Sequence, residues 1–224
     1  SIPLFKNVRQ VHYIAPEKHP LRMSFKRLIN TFAEIRRYRS AFVFLLAYFF
    51  YIDGVDTIIT MAISYGRDMG FGVDMLIFVV LMIQIVAFPM AVLYGRLAGV
   101  FGTRKMLYAG IAVYVGITVM AFLLPSVRSP VFKSGLFWFL AFLVATSQGG
   151  LQALSRSYFG RLIPANRSAE FFGFYNICGK FATIAGPFLM GIISRITHDS
   201  RYGILSLLIL FVIGGIMLSH VKPD

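Results

Sequence analysis

Six long apolar runs leave this 224-residue chain few folds to adopt. They cover 41–66, 75–94, 106–124, 136–154, 171–193 and 203–219. About 20 residues of helix cross the hydrocarbon core of a bilayer. Inside that core every backbone N–H and C=O must be bonded within the protein, so only helices and closed barrels can span it. Runs of this length are helical. The fourth and fifth contain polar residues and glycines, and both read as helices once the polar residues are gathered on one face. The chain is 58% hydrophobic and only 14% charged, too little charge to clothe a soluble domain of this size. The expected fold is an all-α membrane protein with a six-helix transmembrane bundle over 41–220, preceded by a basic segment at 1–40 and followed by a short tail at 221–224.

The gaps between runs carry turn chemistry and charge. They are "GRDMGFGVD" (66–74), "GRLAGVFGTRK" (95–105), "PSVRSPVFKSG" (125–135), "SRSYFGRLIPANRS" (155–168) and "RITHDSR" (195–201). In the fourth, Ser168 is an expected N-cap, with Glu170 at the positive end of the helix that follows. Lysine and arginine number 16 over the N-terminal region, the second and fourth gaps and the C-terminus, against five in the other three gaps. Both termini and the two basic gaps are therefore expected on the cytoplasmic side, with an even number of spans. The formal net charge of +13 then reflects topology and anionic lipid, and no nucleic acid partner is expected. Within 1–40, "LRMSFKRLINTFAEIRRYRS" (21–40) repeats Leu21, Phe25, Leu28, Phe32 and Ile35 at helical steps, with Arg22, Lys26, Arg27, Arg36 and Arg37 mostly elsewhere. This pattern predicts an amphipathic helix lying on the cytoplasmic leaflet, or alternatively one that binds a partner. The first long apolar run starts only at Ala41, so no signal peptide is expected. A chain that starts at Ser1 is expected to be processed, cut or tagged.

The chemistry available is narrow. One cysteine, Cys178, excludes an internal disulfide framework and a multi-cysteine metal site, and the four histidines form no HExxH pair. No metal and no cofactor is expected. There is no GxxxxGK[ST] phosphate loop and no local nucleophile signature, so an enzyme is not expected. An intramembrane aspartyl pair would need carboxyls on two facing helices, whereas Asp53 and Asp56 share one, and "FGVD" (71–74) falls in a gap.

Those two aspartates are the feature to explain, because one charge near the centre of a membrane helix costs about 2.5–3.5 kcal/mol. At three residues apart they share a helix face, which Thr57, Thr60 and Ser64 extend. Intramembrane charges face a cavity or a partner. Lys180, central in the fifth run, is a candidate partner, with Asn176 and Thr183 on its face. In the fourth run, "ATSQGGLQALSRS" (145–157) lines up Gln148, Gln152, Ser155 and Arg156, and its Gly149–Gly150 pair permits local unwinding at a substrate site or close helix packing. "GKFATIAGPFLMG" (179–191) places Gly186 and Pro187 where a helix can pack tightly or hinge. Each feature has a structural alternative: an ion pair, a helix-to-helix hydrogen bond, or small-residue packing.

"GRLAGVFGTRK" resembles the loop signature of the major facilitator superfamily, approximately G-x-L-x-D-R-x-G-R-K. Gly95, Leu97, Gly102 and the basic pair Arg104–Lys105 match, while Gly99 replaces the usual aspartate. "YFFYIDGVDTIITMAISYG", "GGLQALSRSYFGRLIP" and "EFFGFYNICGKFATIAGPFLMG" resemble, in order and spacing, the C-terminal half of the Atg22-like (UMF1) transporters over about residues 40–220. "SIPLF" is similar to the end of that family's sixth helix, and the basic stretch to its central linker. The resemblance implies helices seven to twelve of a twelve-helix secondary carrier, with two inverted three-helix repeats at about 41–124 and 131–220. It also implies alternating access between halves in a bacterial inner (plasma) membrane, with amino acids as first guess for a small-molecule substrate and proton coupling as an option. Asp53 and Asp56 would take a cation or a substrate amine, Lys180 would balance them or take a carboxylate, and Thr57, Thr60, Gln148, Gln152 and Asn176 would complete the site. Gly95, Gly102, Arg104, Lys105, Arg156, Gly186 and Pro187 would serve the loop motif and gating. With six spans instead of twelve, a partner is expected beside the lipids: the missing half or a second copy. The alternatives are a non-transporting scaffold or accessory subunit, and a half-transporter that moves lipid.

Overall fold

The computed structural model describes residues 34–221, and all regular structure among them is helical. The expected amphipathic helix at 21–40 and the tail at 221–224 lie outside the described residues, apart from 34–40 and Val221. Seven helices follow: α1 (Arg39–Asp68), α2 (Val73–Phe101), α3 (Thr103–Leu123), α4 (Pro130–Leu162), α5 (Ser168–Thr197), α6 (Ser200–Ser206) and α7 (Leu208–Ser219). The last two make one span around a single tightened turn, in which Leu207 donates to Ile204 O at 3.0 Å and Leu210 donates to Leu207 O at 3.0 Å. Six membrane-crossing helices result, as the apolar runs predict.

The helices outrun the apolar stretches, because a polar sequence stays helical beyond the hydrocarbon until something ends it. Most of "GRLAGVFGTRK" belongs to α2, and the turn into α3 is made by Gly102 alone, at φ 91°, a left-handed conformation that glycine adopts without a Cβ penalty. Similarly, α4 continues through "SRSYFGRL" to Leu162. Ser168 is not an N-cap: it is already helical, and Arg167 flanks the helix without a side-chain cap. Glu170 does stand in the first turn. Ser129, which was not singled out in the sequence, caps α4 by accepting the Phe132 N–H at 3.4 Å.

The packing has a two-fold pattern. α1 packs chiefly on α5 and on the α6–α7 span, and α4 packs chiefly on α2 and α3. Exchanging the first three spans for the last three maps these pairs onto one another. α1 and α4 run in opposite directions, so the repeats are inverted. Polar bonds between helix ends respect this arrangement. On the side where α1 begins, Arg104 donates to Ser219 O at 2.7 Å and Leu218 O at 3.2 Å, and Arg167 pairs with Glu34. On the other side Lys133 donates to Met69 O at 3.0 Å and Ser200 to Asp68 at 2.6 Å.

α1 is the most enclosed span, with Tyr51, Asp53, Val55 and Thr57 wholly buried. Association in lipid depends on close packing more than on hydrophobic transfer, so small residues matter at the seams. A Cβ on Gly214 of α7 would lie 2.9 Å from the Tyr51 backbone nitrogen and 3.1 Å from Ala47 O. Backbone cannot move aside as a side chain can. Gly214→Ala is therefore expected to destabilise the full-length protein by ~1–3 kcal/mol, read as a lower thermal midpoint in detergent.

Between α5 and α6, Asp199 accepts the Arg201 backbone N–H at 2.9 Å and its Nε at 2.7 Å. These bonds hold the Asp199 carboxyl below the usual carboxylate range. A carboxylate so depressed stabilises the fold fully above the unfolded value of about 3.9, and less as pH falls through the folded value. Asp199→Ala should lower the melting temperature at neutral pH, and its gap from the wild type should close in acid.

Candidate functional site

Asp53 lies midway along the 30 residues of α1 and is wholly buried. Its Oδ1 accepts the backbone N–H of Gly186 on α5 at 2.8 Å. The missing side chain of Gly186 permits this contact, since a Cβ there would stand 2.7 Å from Asp53 Oδ1 and would run into Thr57 Oγ1. Gly186 and Pro187 thus sit inside an unbroken α5 at its seam with α1. Asp53 Oδ2 is buried with no hydrogen-bond partner among the described residues.

Asp56 points elsewhere. It is half-buried, and its Oδ1 accepts from Gln152 Nε2 of α4 at 3.4 Å. The charge of Lys180 on α5 acts on Asp56, though the two form no ion pair within 4.0 Å. The two aspartates, one turn apart on one helix, therefore serve different surroundings: Asp53 the α1–α5 seam, Asp56 an accessible surface shared by α1, α4 and α5. Gln152 and Lys180, both exposed, are the groups that reach or act on Asp56 there, and Asn176, one turn before Lys180 on α5, is exposed as well. Thr60 is also exposed, and its hydroxyl is satisfied on its own helix, by Asp56 O at 2.8 Å and Thr57 O at 3.2 Å.

A groove of about 250 Å³ adjoins this surface between α1, α2 and α4. Its walls are apolar except for Thr60, Gln148 and Gln84. Gln148 Oε1 is buried without a partner among the described residues, an acceptor open to a ligand N–H or to water. Gln84 was missed in the sequence, where it is a lone amide in an otherwise apolar run. A second cavity, of about 60 Å³, takes no polar ligand: its hydroxyls, Tyr65 and Thr118, bond Ala121 O and Tyr114 O.

The Gly149–Gly150 pair does not unwind α4, which is continuous from Pro130 to Leu162. A Cβ on Gly149 would lie 2.9 Å from Ala87 O, so the pair serves close packing on α2. Arg156 lies over the Phe172 ring at 5.2 Å from its centroid, tying α4 to α5. Of the loop residues, Arg104 caps the carbonyl end of the sixth span, while Gly95 and Lys105 are exposed. Toward the basic side the site is floored by aromatic rings that sequence spacing alone did not bring together. Tyr48 stacks on Tyr175 at 4.3 Å, Phe159 stacks on Tyr175 at 5.1 Å, and Tyr51 bonds Ser155 of α4 at 2.6 Å.

Six apolar spans in two inverted repeats, with charged and amide groups converging from three of them, are the marks of half a facilitator-type transporter bundle. The whole chain, residues 1–224, matches the family described as vacuole effluxer Atg22 like, and the chain belongs to that family. It is 50% identical over its full length to the MFS-type transporter YxiO of Bacillus subtilis (strain 168), covering 51% of that protein. It is 28% identical over 201 residues to autophagy-related protein 22 of Vanderwaltozyma polyspora, covering 86% of this chain and 38% of the relative. With the Saccharomyces cerevisiae (strain ATCC 204508 / S288c) protein of the same name the identity is 26% over 193 residues, covering 83% of this chain and 36% of the relative. The chain thus spans about half the length, or less, of these relatives.

The Tyr51–Ser155 bond is a buried polar tie between α1 and α4, the first helices of the two repeats. Ser155→Ala would bury the Tyr51 hydroxyl unpaired, at a cost of ~1–3 kcal/mol. Adding Tyr51→Phe should recover most of the loss. A thermal-unfolding cycle on the wild type, both single variants and the double variant checks this.

Proposed function

We propose that this chain supplies one half of a secondary carrier for a small polar solute, with amino acids as the substrate class. The observation that carries the reading is the convergence of Asp56, Gln152 and Lys180 from three different helices on one accessible surface. A zwitterion has the complementary pattern: its ammonium suits Asp56 and its carboxylate suits Lys180, while Gln148, Gln152 and Asn176 supply neutral hydrogen bonds. The adjoining groove, with Gln84 and Gln148 in apolar walls, suits the side chain of such a solute. The name effluxer in the matched family favours export over uptake.

In this reading the substrate crosses between two halves, and the exposed faces of α2 and α5 meet either six further helices or a second copy of the bundle. The side on which α1 begins, with its excess of lysine and arginine, faces the cytoplasm. On this reading the membrane is a bacterial inner (plasma) membrane.

The test uses the full-length protein in liposomes loaded with the twenty common L-amino acids, with efflux read by mass spectrometry. The expected result is selective efflux that Asp56→Asn and Lys180→Met each lower about tenfold or more, the worth of one charge-assisted hydrogen bond. A wild type inert toward all twenty, in every ion gradient tried, would favour a scaffold or accessory role. Efflux unchanged in Lys180→Met would remove the lysine from the site.

A further inference from the structure

Asp53 takes no part in the accessible surface, and its burial poses a separate problem. A carboxylate that keeps its charge away from water needs donors at both oxygens or a cation beside it. Asp53 has one N–H, from Gly186, on Oδ1. Oδ2 has no donor among the described residues, and no lysine, arginine or histidine there pairs with Asp53 within 4.0 Å. A proton on Oδ2 removes the charge and makes the orphan oxygen a donor. Thr57, also wholly buried, carries a hydroxyl beside the same Gly186 that likewise has no hydrogen-bond partner among the described residues.

We infer that Asp53 is a proton-binding site that clasps α1 to α5: the proton resides on Oδ2 while the two helices are docked, and leaves to water when α5 parts from α1 at Gly186. Oδ1, the carbonyl oxygen of the protonated side chain, keeps the Gly186 N–H in the docked state. Loss of the proton restores a full charge, which then needs water or a cation, and neither reaches a group packed against Gly186. Parting the helices supplies the water. The weak point is adjacent, because Pro187 has no N–H and leaves the carbonyl four residues earlier, at Thr183, without its helical donor.

The groups around the clasp are few. On α1, Asp56 acts on Asp53. α5 brings Lys180, whose charge falls on Asp56; α3 brings the buried hydroxyl of Tyr114, on which Asp56 also acts; α7 brings no charged residue. Any cation bound at Asp56 is thereby coupled to the proton on Asp53. The clasp deepens the proposed carrier and rests on that reading only for its link to transport.

The experiment is pH-titrated infrared difference spectroscopy of the full-length protein in lipid nanodiscs. A protonated-carboxyl band is expected at neutral pH in the wild type and in Asp56→Asn, and lost in Asp53→Asn. No such band in the wild type, or one that survives Asp53→Asn, overturns the proposal. Deuterium exchange of the segment around Gly186, corrected for intrinsic base catalysis, reads the docking. It should rise about tenfold with pH in the wild type and stay flat in Asp53→Asn; equal rises refute the clasp. If Asp53→Asn does not fold, Asp53→Glu replaces it: a band moved in frequency supports the assignment, and an unmoved band overturns it. A band that follows these expectations in a protein that moves no amino acid would refute the carrier reading and leave the clasp standing.

Discussion

The bundle depends on how closely other helices approach α1. In hydrocarbon, apolar side chains gain little by leaving lipid for protein, so helices adhere through contact area and through the few polar bonds they share. α1 meets a glycine on each major flank: Gly214 of α7 against the backbone at Ala47 and Tyr51, and Gly186 of α5 against Asp53 and Thr57. The same device recurs in the second repeat, where Gly149 of α4 lies against the backbone of α2. Each glycine brings a backbone into range of a partner, and at Gly186 that range delivers a hydrogen bond to a buried carboxyl group.

From this packing follows the division of polar groups. Close docking of α1 with α5 encloses Asp53 and Thr57, while Asp56, one turn further, emerges beside α4 and meets Gln152. Tyr51 and Ser155 tie α1 to α4, and aromatic rings fill the space toward the basic side. The result is a surface rich in hydrogen-bonding groups above a rigid aromatic floor, with a seam beside it whose polar content is hidden.

Much of this was legible in the chain itself. Apolar runs of membrane-spanning length, basic residues concentrated in alternate gaps, and polar residues at helical spacing gave the six spans, the even topology and the candidates Asp53, Asp56, Gln152 and Lys180. The ends of the helices were less legible: hydropathy marks where hydrocarbon stops, whereas α2 and α4 stop only at a local signal such as Gly102 or the turn before Pro164. Gln84 was hidden because one amide in an apolar run carries no periodic signal. Gly149 and Gly150 were ambiguous because unwinding and close packing call for the same residue.

What the sequence determined by itself was the set of helices, their alternating direction and the polarity of each face, since these follow from local periodicity and from the need to bond every backbone group in lipid. Tertiary structure alone decided which polar groups face one another. Spacing puts Asp53 and Asp56 on one side of α1, yet the approach of Gly186 buries the first, and the position of α4 leaves the second open. That choice depends on the distance between helices, which is set by the side chains of partners more than ninety residues away.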